Sequence, residues 1–226
     1  MSFFRVFLAG LFALLPTYGQ ATDGTTSSRA PLDNPLAVNP LTGLTSASAI
    51  NYRPLTGDER WELYWKQNYW SIGAYVGPVL SALVLDQATG FPREWGGGFE
   101  GFGHRLGSRA LSAVVQGSVQ ASLAAPLHED VRYISRGKGN FSRRILHAVA
   151  FSFVTYNSHG HVTPNIANLT SYYAAAAVST KWTPTDEPLG RYTLVHGSEQ
   201  VGLAIPVNVL QEFWPDIRSR IFHRRP

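Results

Sequence analysis

The sequence predicts an all-α protein: a compact bundle of roughly five or six helices packed through small residues. Three observations predict it. Apolar residues recur at steps of three and four over most of the second half of the chain. Rows of Ala and Gly at steps of four offer close helix contacts. Long stretches alternating apolar and polar residues, the mark of sheets and outer-membrane barrels, are missing.

Of the 226 residues, 1–21 read as a signal peptide, with Arg5, an apolar run from Val6 to Leu15 and small residues near Ala21. The chain has no Cys, so export brings no disulfide framework and stability must come from packing. Residues 22–50, dominated by Thr, Ser, Pro, Asn and Gly, read as a disordered leader, and 51–226 as a single helical domain. The net charge is +4, and one positive charge, Arg5, leaves with the signal. The cations cluster: Arg132, Arg136, Lys138, Arg143 and Arg144 follow one another without an acid, and Arg218, Arg220, Arg224 and Arg225 form a second group. Solvated surface explains such clusters more simply than a phosphate-headgroup site. No nucleic-acid motif accompanies them, so nucleic acid is excluded as a partner.

Helices are predicted in order. Thr56-Gly57-Asp58 caps an aromatic helix carrying Trp61, Leu63, Tyr64, Trp65, Tyr69 and Trp70. Residues 71–85 are uncharged and read as a buried helix, broken early by Gly73, Gly77 and Pro78. A glycine-rich turn, Trp95 to Gly103, is expected to pack on Trp95, Phe99 and Phe102. The helix over 102–127 carries a polar stripe, Arg105, Arg109, Ser112, Gln116 and Gln120, beside a small-residue row, Ala113, Gly117, Ala121 and Ala125. Further helices are predicted over 142–156, with His147 as a satisfied core histidine, and over 163–180, with Pro164 in its first turn. The last resumes through Val201 and Phe213, with Pro206 as a kink or a start.

Pro92 to Gly96, Gly101 to Arg105 with Ser108-Arg109, His128-Glu129-Asp130-Val131-Arg132-Tyr133, residues 151–155 and Glu212 to Ile217 together resemble an uncharacterised family of exported bacterial proteins, abundant in soil Acidobacteria. The likeness covers most of the chain after Pro54. It implies an exported, mainly helical protein and transfers no catalytic residue. The family usually carries proline where Val131 stands.

The weak catalytic candidates are His128, Glu129, Asp130, His159 and His161, whose spacing matches no compact zinc motif. Faint echoes of membrane-associated acid phosphatases at residues 157–161 and 142–147 fail in order and spacing. No metal and no cofactor is predicted. A structural polar network is expected instead: Glu129 or Asp130 accepts from Arg105 or Arg109 on the stripe if a neighbouring helix brings their ends together, while His128 or Arg132 satisfies helix-end carbonyls. The expectation is a non-enzymatic exported envelope protein, in the periplasm or associated with the outer membrane, with membrane lipid or an envelope protein as partner. The alternative is a soluble periplasmic hydrolase, phosphatase-like or metal-dependent, using His128 and its neighbouring carboxylates.

Overall fold

The computed structural model of the protein describes residues 36, 38, 43 and 45–222, the side chains of 218, 221 and 222 excepted. The predicted signal peptide and most of the predicted leader lie outside these residues. The end of the leader does not: Ser46–Ser48 (β1) pairs in parallel with Tyr133–Ser135 (β2), so the ordered chain begins before residue 51.

The protein is mainly helical, as its apolar periodicity dictates. Helix α1, Gly57–Trp65, starts at Thr56 with the reciprocal bonds of a capping box: Thr56 Oγ1 accepts from Glu59 N and the Glu59 carboxylate from Thr56 N. It runs on as a wider π turn, Lys66–Trp70. Helix α2, Gly73–Leu80, likewise passes into a π turn at Ser81–Asp86, beyond the internal Pro78. Contrary to expectation this segment is not buried all round, since Ile72, Tyr75 and Leu83 are exposed. Only one side of it finds cover against α3.

Helix α3, Gly98–Ala124, packs along α5, Ile166–Ser179, and α5 packs along α6, Leu189–Phe222. Ala167, Ala175 and Ala176 are buried in α5, so small side chains permit close packing there. The small-residue row of α3 works differently. A Cβ at Gly117 would collide with the Asn68 amide, so this glycine admits a side chain from the π turn after α1 rather than a helix backbone.

Two predicted helices are shorter than expected. Helix α4, Phe141–Ala150, is capped by Asn140 Oδ1, which accepts from Arg143 N, and it ends at Phe151. Val154–Tyr156 (β3) then pairs antiparallel with Val162–Pro164 (β4). The β-branched pair Val154-Thr155 suits a strand, and Asn157 to His161 closes the hairpin with Gly160 in the left-handed region (φ 75°). Pro164 therefore sits at a strand end and not in a helix's first turn. Helix α6 includes both Pro206 and Pro215, so Pro206 neither starts nor ends it.

Candidate functional site

The His128 to Tyr133 segment sits where α3 ends. Ala124 carbonyl accepts from Glu129 N and Ala125 carbonyl from His128 N, with His128 left-handed (φ 56°). This is a Schellman ending in which His128 stands where glycine is usual. Its side chain is exposed. Arg60 Nη1 adds bonds to Ala124 carbonyl (3.4 Å) and Glu129 carbonyl (2.7 Å), completing the helix end.

Glu129 is 2% exposed and points at the start of α5, accepting from Ile166 N (3.2 Å) and Ala167 N (2.9 Å). Asn165, the residue at the cap position, makes no capping bond of its own. A carboxylate from 37 residues upstream thus serves as the cap, in the field of the helix dipole.

Asp130 and Arg132 form a buried pair. Asp130 Oδ1 accepts from Arg132 N (3.0 Å) and Nε (2.9 Å), and Oδ2 accepts from Arg132 Nη2 (2.6 Å) and the Tyr52 hydroxyl (3.0 Å). Burial first, and the adjacent Asp130 second, push the Tyr52 phenol well above its ordinary range. Arg132 Nη2 also holds the Arg53 carbonyl (2.7 Å).

The arginines of the α3 stripe do not reach these carboxylates, which corrects the predicted pairing. Arg105, 1% exposed, donates from Nε to Phe91 carbonyl (2.8 Å), from Nη1 to Gly96 carbonyl (2.9 Å) and Gln87 Oε1 (3.0 Å), and from Nη2 to Pro92 carbonyl (3.0 Å). The glycine-rich turn is the wall of this cradle. A Cβ at Gly101 would lie 2.6 Å from both Arg105 Nη1 and Gly96 carbonyl. Phe99, expected to pack there, is exposed. Arg109 pairs bidentately with Asp86, Nε to Oδ2 at 2.7 Å and Nη2 to Oδ1 at 2.5 Å. Arg105 and Arg109 lie near the start of α3 and the acidic pair beyond its end, a separation no side chain bridges.

The residue that sequence reasoning missed is Glu212, on α6 and 0% exposed. Its Oε2 accepts from the Tyr133 hydroxyl (2.8 Å) and Arg136 N (2.9 Å), and its Oε1 from Gly137 N (3.0 Å) and Arg144 Nε (3.1 Å). Arg144 also binds the Glu212 carbonyl and the Asp216 carboxylate, and lies 4.2 Å over the Phe213 ring. Burial, then the Glu212 bond, push the Tyr133 phenol far up. One signal is visible: a carboxylate directly before Phe213 and Trp214 and close to Leu210 and Ile217.

Two recesses stand out among the described residues. The larger, about 570 Å³, lies between the α1–α2 segment and α3, and Tyr64, Gln67, Asn68, Tyr69, Tyr75, Gln116 and Gln120 are among its lining residues. Its volume suits a small ligand. No Asp, Glu or His lines it, so it offers stacking and amide hydrogen bonds without a carboxylate or imidazole for acid–base work. The smaller, about 70 Å³, holds the groups such chemistry uses: Asp86, Arg109, Tyr172, Tyr192, His196 and Glu199, with His196 Nδ1 2.8 Å from Glu199 Oε2. That volume admits water rather than a substrate.

The remaining weak candidates, His159 and His161, are exposed on the β3–β4 hairpin, with ring centroids 6.5 Å apart. Their backbone N–H groups donate to Asn157 Oδ1, which shapes the turn. Among the described residues no group of three or more His, Asp or Glu side chains could hold a metal ion. His147 fits the core role: Nε2 is 2.9 Å from the Ile134 carbonyl and its ring packs on Phe151. Comparison with protein-family models, with curated proteins and with solved structures finds no match to this chain.

Proposed function

We propose that this chain is a non-enzymatic helical envelope protein that works with its apolar exterior against a membrane or an envelope partner. The carrying observation is an inverted distribution of polarity. Arg105, Glu129, Asp130, Arg132, Arg144 and Glu212 are buried, while Trp61, Trp70, Ile72, Tyr75 and Leu83 stand exposed on one continuous stretch of chain. Water-facing domains seldom bury so many charges beside so much exposed aromatic surface. A lipid or protein neighbour makes that arrangement favourable, because charges then pair inside the bundle and apolar groups face the neighbour.

No single described helix is long and apolar enough to cross a membrane. One bent pair, Gly57–Trp70 with Gly73–Thr89, passes the same test of length and composition with a 50° break. Its Trp and Tyr residues are of the type that settles at the membrane–water boundary. Association along a surface agrees with both facts. The polar groups support the non-enzymatic reading, since both oxygens of Glu129, Asp130 and Glu212 are already engaged. The segments that carry the resemblance to the exported family are largely those that build these knots.

Cell fractionation followed by carbonate extraction tests the proposal. The protein is expected in the envelope fraction; recovery wholly in the soluble periplasmic fraction would sink it.

A further inference from the structure

The loop from Arg136 to Asn140 and the first turns of α4 form a second surface, distinct from the exposed aromatics of α1 and α2. Arg136, Lys138 and Arg143 are all exposed, and among the described residues none of them has a carboxylate partner. Phe141, whose ring centroid lies 5.2 Å from that of Phe213, and Leu146 are 67% and 70% exposed on the same stretch of chain. Arg143 and Leu146, three residues apart, share the face of α4 turned away from buried Arg144 and Ala148.

The loop is held from beneath. Glu212 accepts from the backbone N–H groups of Arg136 and Gly137, and the turn continues through Gly137 (φ 69°) and Gly139 (φ 126°). Asn140 then caps α4 through Arg143 N. The same Glu212 carboxylate that takes up Arg144 therefore holds the head of the loop at Arg136 and Gly137, and Arg136 Nε in turn donates to the Lys138 carbonyl (3.2 Å). A loop so anchored loses little further entropy on docking.

We propose that Arg136, Lys138 and Arg143, with the exposed Phe141 and Leu146 on the same stretch of chain, form a docking surface for an anionic phospholipid bilayer. Cations without carboxylate partners attract phosphate, and the exposed phenyl and isobutyl groups gain only if hydrocarbon lies beneath that phosphate. A soluble anion would satisfy the first requirement and leave Phe141 and Leu146 in water. This inference rests on the reading of the chain as an envelope-surface protein and adds the face and the lipid charge.

Co-sedimentation of the full chain with phosphatidylcholine vesicles, and with the same vesicles containing phosphatidylglycerol, tests it. Binding is expected to the anionic vesicles, to weaken with added salt, and to fall about a hundredfold in R136A/K138A/R143A, three cations each contributing at the surface. Those side chains are exposed, so the variant should melt with the parent, and F141A/L146A should also bind less. Equal binding to both vesicle types would overturn this inference and leave the envelope reading intact. So would a triple variant that binds as well as the parent. Release by inorganic phosphate at the ionic strength of a sodium chloride control that does not release would assign a soluble anion instead and overturn it. Binding to neither vesicle would overturn this inference, and recovery of the same protein in the soluble periplasmic fraction would take the envelope reading with it.

Discussion

Arg105 and Glu212 solve the same problem in opposite ways. Each is a charged group with essentially no exposure, and each makes four hydrogen bonds through its charged end. Arg105 takes its partners from 9 to 18 residues away, three of them backbone carbonyls of one turn. Glu212 takes its partners from 68 to 79 residues away, and they come from β2, the loop after it and α4. The first ties a turn to the start of its own helix. The second ties the terminal helix to the middle of the chain, so the two should fail differently.

The largest effect is expected from E212Q. The amide places donors where Gly137 N or Arg144 Nε already donates, and it leaves a buried guanidinium short of charge, a loss of about 3–5 kcal/mol. Unfolding should remain one cooperative transition at a lower midpoint, read by denaturant melts. R105A should cost less, about 2–3 kcal/mol, by orphaning the carbonyls of Phe91, Pro92 and Gly96, of which Pro92 is buried. Its loss should be local: hydrogen exchange should speed up over residues 91–101 while β2 and α4 stay protected. Equal protection loss in both regions would erase the contrast.

H128G sharpens the local side. Glycine takes the left-handed conformation without a Cβ penalty, so the variant should gain about 1 kcal/mol by ending α3 more comfortably. The smallest effect concerns Glu59. Bonds from the Arg53 guanidinium, then from Thr56 N, hold its carboxyl at about 2, below the ordinary 4.5. Its contribution is present above pH 4.5 and is lost as pH falls from 4.5 toward 2. E59Q should flatten the acid slope of stability across that window, and an unchanged slope would show the cap to be idle.

The same division explains what could be read from the residues alone. The Thr56 cap, the long α3 and the core role of His147 are encoded within a few neighbours, and periodicity or spacing finds them. The all-α class follows from the same local signals. Pairings across 23 residues or more leave no such trace, so the residues alone assign no role to Glu212 and match Arg109 to Glu129 or Asp130 when its partner is Asp86. The small strands were hidden for a related reason. Val154-Thr155-Tyr156 continues a helical apolar pattern, and only its pairing with Val162–Pro164 makes it a strand. Glu129 and Asp130 stand out in the sequence as an acidic pair, but their partners, a helix N-terminus and the nearby Arg132, do not.

On the proposed reading, charges are tied inside this bundle while the aromatic groups of α1 and α2 face a neighbouring apolar phase. Quenching of tryptophan fluorescence by vesicles of brominated lipid tests it most directly, because Trp61 and Trp70 are 63% and 74% exposed. Strong quenching is expected in the parent protein and should fall sharply in W61F/W70F. Fluorescence unmoved by the brominated vesicles, or quenched equally in the double variant, would contradict it.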